Sequence, residues 1–231
     1  MYVYGKNVVT EILKKKEKID KIYISEHFRD NFIESSIQNL KINTEILPKK
    51  ELDKLANGNH QGIIVSVPDY QYCELQELLG KENPFLILLD HLEDPHNLGA
   101  IIRTSEAAGV DGIIIPKNRS VSVNATVLKT SAGAAKNMKI AMVTNLKQTI
   151  EYLKKHGFWI VGTDMEGTDF EKLDYHGKIA IVIGNEGSGM SRLVKESCDF
   201  IASIPMYGEI NSLNASVAAG IMIYEAVKQR K

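Results

Sequence analysis

The stretch Ile204-Pro205-Met206-Tyr207-Gly208-Glu209-Ile210-Asn211-Ser212-Leu213-Asn214-Ala215-Ser216 joins a strand-like run to a helix-like one, and its composition is wrong for a plain connection. Upstream, Asp199 to Ile204 alternates as a strand does. Downstream, Ala215 to Lys228 carries Val217, Ile221, Tyr224, Val227 and Lys228 at the i, i+3 and i+4 spacing of a one-faced helix. Ser212 and Asn214 stand where that helix begins, a place where a serine or asparagine caps free backbone N-H groups. The run of small polar side chains there is more than a cap requires, so the joint is also a candidate ligand site.

Working outward, the chain from Phe85 on reads as long apolar strands alternating with helices. Phe85 to Leu89, Gly112 to Ile115, Lys139 to Val143, Phe158 to Val161, Ile179 to Ile183 and Phe200 to Ile204 are strand-like. Helical patterns such as Ile101 to Ala108 and Leu146 to Lys155 fall between them. Continuous apolar strands separated by helices predict an α/β domain with a parallel sheet covered on both faces. In such sheets ligands bind beyond the carboxyl ends of the strands.

Two other strand ends carry unusual residues. After Leu89 comes Asp90-His91-Leu92-Glu93-Asp94-Pro95-His96-Asn97-Leu98-Gly99, then Arg103-Thr104 two turns into a predicted helix. Taken alone, this is a helix capped by Asp94, with Arg103 paired to Glu106 or Asp90. After Ile183 comes Gly184-Asn185-Glu186-Gly187-Ser188-Gly189, a glycine-rich turn that lets backbone approach a ligand. It lacks the Gly-Lys-Ser/Thr ending of a Walker loop, and no early GxGxxG with a following acidic residue supports a nucleotide-cofactor dehydrogenase. Three such joints at strand ends make a site.

Residues 1–67 form a smaller α/β block. Helices are predicted over Asn7 to Lys16 and Phe28 to Leu40 and after Pro48, with strands Lys21 to Ser25, Thr44 to Leu47 and Gly62 to Val67. Residues 68–83 are polar and read as a linker, with Leu75, Leu78 and Leu79 able to make one helical turn; residues 84–231 are the larger domain.

The 231 residues are 44% hydrophobic, and 28 basic against 29 acidic side chains leave a net charge of -1, so no overall field attracts nucleic acid. Locally the balance differs. Between Gly112 and Ile150 stand Lys117, Arg119, Lys129, Lys136, Lys139 and Lys147 with no acidic residue, either a solvated face or a surface that meets phosphates. Two cysteines without a CxxC, and no histidine cluster at ligand spacing, point to no metal. No apolar run spans a bilayer and no leader is apparent, so a cytoplasmic protein is expected.

Asp94-Pro95-x-Asn97-x-Gly99-x3-Arg103-Thr104, Ile183-Gly184-Asn185-Glu186-Gly187-x-Gly189 and Ile204-Pro205-Met206-x-Gly208-x3-Ser212-Leu213-Asn214-x-Ser216 resemble, in order and spacing, the three motifs of the SpoU (TrmH-like, SPOUT) RNA ribose 2'-O-methyltransferases. Tyr4-Gly5-x-Asn7-x-Val9 and His60-Gln61-Gly62-Ile63 are similar to the ribosomal-protein-like (L30e-like) RNA-binding domain of the branch that methylates a guanosine of large-subunit (23S) ribosomal RNA. The resemblance implies a trefoil-knotted α/β domain, a bent S-adenosylmethionine, a homodimer and a ribosomal RNA substrate, with another ribosomal RNA site, a transfer RNA, or catalytically silent RNA binding as alternatives. It implies that Gly184, Ile204 and Leu213 hold the cofactor through backbone, with Thr163 and Met206 lining its pocket. Asn97, Arg103, Glu186, Ser212 and Asn214 then form the catalytic, nucleotide-facing rim, Arg103 acting as phosphate anchor or charge stabiliser, since a guanidinium stays protonated.

Four other residues carry smaller expectations. His96 occupies a variable motif position and is a weak candidate base. His60 contacts RNA or fills a turn, Trp159 belongs to the core, and Cys198 is an inert packed thiol.

Overall fold

The computed structural model describes residues 1–56 and 58–231 and divides the chain into two compact units, Met1–Gln71 and Tyr72–Lys231.

The first unit runs β1 (Tyr2–Tyr4), α1 (Lys6–Lys14), β2 (Lys21–Ser25), α2 (Asn31–Leu40), β3 (Thr44–Leu47), α3 (Lys49–Leu55) and β4 (Ile63–Ser66). Its sheet has the order β1-β4-β2-β3, with β4 antiparallel to β1 and β2, and β2 parallel to β3. Ile22, Ile63, Ile64 and Val65 are fully buried, and Val9, Ile33 and Leu52 supply the apolar helix faces over the sheet. The short strand β1 escapes the sequence pattern because three residues hold too little alternation to register. The helix expected from Phe28 begins at Asn31, where Asp30 accepts the Ile33 N-H at 3.1 Å and Phe28 is left buried in the preceding turn.

The second unit runs β5 (Phe85–Leu89), α4 (Pro95–Ala108), β6 (Gly112–Pro116), α5 (Ala125–Thr130), β7 (Ile140–Val143), α6 (Leu146–Lys155), β8 (Trp159–Asp169), β9 (Ile179–Ile183), α7 (Arg192–Lys195), β10 (Phe200–Ser203) and α8 (Ala215–Arg230). Its strands form one parallel sheet in the order β10-β8-β9-β5-β6-β7. The central strands β5 and β9 are buried along their whole length, as expected of a sheet covered on both faces. Among the described residues, no helix is long and apolar enough to cross a membrane.

The segment expected as a linker is divided between the units. Cys73 donates its N-H to the Ile140 carbonyl at 3.0 Å and bridges β7, protecting that sheet edge. Leu78, in the short 3-10 turn Leu75–Leu78, packs on Gly112, where a Cβ would meet its Cδ2 at 2.5 Å.

Three expectations are corrected. Strand β8 continues well beyond Val161: its register with β10 passes from Ile201↔Gly162 to Ala202↔Thr168, so residues 163–167 bulge out. Gly167 permits this, since a Cβ there would meet the Ile201 carbonyl oxygen at 2.5 Å. Trp159 is not core; it is 54% exposed at the start of β8, its ring 5.7 Å from that of Phe200. The buried face of α8 is Ala215, Ala219, Met222, Ile223 and Ala226, so Val217 and Tyr224 of the expected stripe face outward.

Candidate functional site

Each predicted motif lies at the carboxyl end of a strand of the second unit. After β5 the chain turns through His91, at φ 57, into α4; Asp94 caps that helix by accepting the His96 N-H at 2.8 Å, and Pro95 fills its first turn. Asn97, in the same turn, is 6% exposed and donates from Nδ2 to Glu186 Oε1 at 2.9 Å. The first two motifs therefore touch.

The loop after β9 is folded tightly. Asn185 and Gly189 exchange backbone hydrogen bonds, each 3.0 Å, and Asn185 Oδ1 accepts the N-H groups of Gly187 and Ser188. Gly184 could be no other residue, because a Cβ would meet Gly189 C and Met190 N at 2.5 Å.

Two bonds that sequence reasoning missed tie this loop to the end of β5. Asp90, 1% exposed, accepts the Ser191 N-H at 2.6 Å through Oδ2 and pairs with His91 Nδ1 through Oδ1. Asn185 Nδ2 donates to the His91 carbonyl at 2.8 Å. The signal was present in Asp90, a carboxylate closing an otherwise apolar strand, where only a specific partner justifies burial.

Arg103 follows Asn97 by six residues, about 9 Å along α4 and on a different face. Neither expected partner holds it: Asp90 is engaged as above, and Glu106 accepts from Asn137 Nδ2 at 3.3 Å. Arg103 is exposed, without an ion pair among the described residues. His96 lies on its face of the helix and contacts Thr130 Oγ1 at 3.4 Å.

The third motif forms the open wall. Asn214, rather than Ser212, caps α8: its Oδ1 accepts the Ser216 N-H at 2.9 Å and hydroxyl at 2.6 Å. Ser212 is exposed, Ile204 and Gly184 are half-buried, and Met206 and Leu213 present apolar side chains that are 38% and 37% exposed. Thr163 Oγ1 donates to the Val182 carbonyl at 2.9 Å, joining β8 to β9 beside the crevice.

The acid-free region forms the surface after β6. Lys117 and Arg119 are exposed, but their loop is not free to swing: Ser120 Oγ and Val121 N-H both donate to the Leu92 carbonyl, at 3.0 and 2.8 Å. Lys147 is paired with Glu151, and Lys139 donates to the Glu77 carbonyl. Burial pushes the Cys198 thiol up to about 12, as suits a packed side chain.

A parallel sheet with three polar strand-end loops, two of them bonded together, defines an α/β protein that binds its ligand beyond the carboxyl ends of its strands. The SpoU rRNA Methylase family matches residues 84–224, and the substrate-binding domain of RNA 2'-O ribose methyltransferases matches residues 2–73. The chain belongs to the SpoU family and is an RNA methyltransferase.

It is 45% identical over 238 residues, covering 99% of this chain and 96% of the relative, to YacO of Bacillus subtilis, provisionally assigned as a TrmH family tRNA/rRNA methyltransferase. Its structure is similar to an AdoMet-bound rRNA methyltransferase from Sinorhizobium meliloti, with TM-score 0.72, 25% identity, and coverage of 98% of this chain and 86% of that one. The SpoU methyltransferase AviRb from Streptomyces viridochromogenes, crystallised with AdoMet, shares the fold with TM-score 0.74, 24% identity, and coverage of 99% and 89%.

Proposed function

We propose that the chain transfers the methyl group of S-adenosylmethionine to the ribose 2'-hydroxyl of a guanosine in large-subunit (23S) ribosomal RNA, working in the cytoplasm as a homodimer with a trefoil-knotted second unit. The observation that carries this reading is the Asn97–Glu186 hydrogen bond, which draws two motifs to one rim at the strand ends.

The residues at the crevice suit the cofactor. Half-buried backbone at Gly184 and Ile204 offers hydrogen-bonding groups, and the apolar surfaces of Met206 and Leu213 suit a purine ring and a thioether chain. When bound, the cofactor supplies an electrophilic methyl on a sulfonium. The protein's task is orientation: Thr163, Gly184, Ile204, Met206 and Leu213 hold the donor, while Asn97, Glu186, Ser212 and Asn214 set the ribose in line with it. Arg103 anchors a phosphate and stabilises the developing alkoxide, consistent with a guanidinium that no carboxylate claims.

The chain path supports the knot. Strand β10 lies at one sheet edge, two places from β9, while α8 packs on α4 and β9, so residues 204–214 carry the chain from that edge back toward the middle of the sheet. The outward apolar face of α8, with Tyr207 95% and Ile210 73% exposed nearby, supports a second copy as its cover. Residues 1–67 choose the RNA, and residues 84–231 carry out transfer.

Mass spectrometry of nucleosides from a deletion strain tests the reading. Loss of one 2'-O-methylguanosine from large-subunit ribosomal RNA is the expected result. Unchanged ribosomal RNA with a loss from transfer RNA would overturn the substrate assignment.

A further inference from the structure

The first unit has a cleft of its own, and resting on the reading of the chain as an RNA methyltransferase, its chemistry points to one kind of occupant. The cleft lies where the carboxyl ends of β1, β2 and β3 meet the start of β4, the position at which α/β sheets bind ligands. At about 570 Å³ it falls within the range of small-molecule pockets, which suits one nucleotide and excludes a duplex.

Its polar lining separates into scaffold and free groups. His60 is 5% exposed; its Nδ1 accepts the Gly62 N-H at 3.0 Å, so the proton sits on Nε2, which donates to Asp53 Oδ1 at 2.9 Å. His60 therefore fills the turn and fixes Asp53 through one carboxylate oxygen, which belongs to the scaffold of the cleft. Lys6 is also engaged, its Nζ donating to the Arg29 carbonyl at 2.8 Å above the Phe28 ring.

Arg29 and Lys49 remain, Arg29 spending only its Nη1, which donates to the Phe28 and Glu26 carbonyls at 2.6 and 3.3 Å and leaves Nε and Nη2 to a ligand. Both are exposed and neither forms an ion pair among the described residues. Gln61, at φ 52, accepts the Lys6 N-H through Oε1 at 2.8 Å, which fixes its side chain and leaves its NH2 group available; Asn59 is held similarly, accepting the Gln61 N-H at 3.3 Å. Two cations without a carboxylate partner, beside two oriented amides, match a nucleotide, with phosphates on one side and a base edge on the other.

We infer that this cleft receives a single unstacked nucleotide of the substrate RNA, Arg29 and Lys49 taking its phosphates and Asn59 and Gln61 its base edge. Sequence-specific RNA recognition works on such splayed-out bases in loops and bulges. The inference gives the first unit a selective step: it tests whether a base is unpaired.

Fluorescence anisotropy with the full chain tests it, using a labelled single-stranded RNA of about 12 nucleotides and a duplex of equal length. The Arg29→Ala, Lys49→Ala double variant should bind the single strand about tenfold more weakly, and its slope of log affinity against log salt should fall by roughly 1.4, two contacts at 0.7 each. Gln61→Glu keeps the acceptor for Lys6 and loses the donor, so it should weaken binding several-fold with melting unchanged. Affinities within about twofold of wild type for both proteins, or a duplex bound as tightly as the single strand, would overturn the inference. Calorimetric S-adenosylmethionine binding, measured on the same proteins, should stay constant. A wild type that binds RNA through this cleft but takes no cofactor would instead refute the methyltransferase reading.

Discussion

Asn97 and Glu186 lie 89 positions apart, yet the Nδ2 of one donates to the Oε1 of the other at 2.9 Å. Asn97 is buried and Glu186 exposed, so the amide is the fixed partner and the carboxylate the one being aimed. Asn97→Asp would replace that donor with a second carboxylate and should cut methyl transfer by about a hundredfold. Adding Glu186→Gln restores a donor across the pair. We expect the double variant to recover stability, with a coupling of about 1 kcal/mol in a denaturant double-mutant cycle. Purely additive effects would show that the contact aims nothing.

Arg103 offers the opposite case, a side chain whose removal should leave the fold alone. It is exposed and unpaired among the described residues, so Arg103→Ala should shift stability by no more than about 0.5 kcal/mol. Transfer to ribosomal RNA should vanish while calorimetric binding of S-adenosylmethionine persists. Loss of cofactor binding in a variant that melts normally would remove Arg103 from the RNA side of the reaction.

Cys198 gives a prediction in pH. Burial raises its thiol to about 12, and Sγ sits 3.3 Å from the Val194 carbonyl oxygen. A raised thiol pKa means less thiolate: at pH 8, about one molecule in 10⁴ carries the nucleophilic form. Burial is also the largest influence raising Cys73. Native protein should therefore react slowly with a thiol reagent at pH 8 and faster as pH rises, and urea should release two equivalents at once. Rapid labelling of Cys198 in folded protein at pH 8 would contradict the packing around it.

What the sequence discloses follows from how local each signal is. Strands Phe85–Leu89 and Ile179–Ile183 are apolar at every position because both sheet faces are covered, and such runs identify themselves. The bulge at 163–167 does not, since Asp164, Glu166 and Thr168 read as a loop and only the close approach of Ile201 to Gly167 explains their place beside β10. Helix α8 shows a different limit. Its apolar residues surround the axis, so periodicity found a stripe, while packing on α4 selected the alanine-rich face that permits close approach. At the site, residue types pointed to Asn97 and Glu186, but their contact depends on the order of β5 and β9 in the sheet. The clamp through Asp90 was less visible still, because its partner is a backbone N-H that no side chain announces.

That clamp makes the last prediction. Asp90 is buried at the end of β5, where Oδ2 holds Ser191 N-H at 2.6 Å and Oδ1 engages His91, while the His91 carbonyl holds Asn185. The residues from Gly184 to Ser191 are thus fixed at both ends to the neighbouring strand's end, and Gly184 is expected to present its backbone to the cofactor. Asp90→Asn preserves the volume but weakens a charge-assisted hydrogen bond and mismatches an NH2 group against one of two donors. Stability should fall by about 1 to 3 kcal/mol. If the clamp positions the loop, S-adenosylmethionine affinity measured well below the melting temperature should also fall, by about tenfold, or roughly 1.4 kcal/mol. A variant that melts earlier but binds the cofactor with wild-type affinity would reduce Asp90 to a purely structural residue.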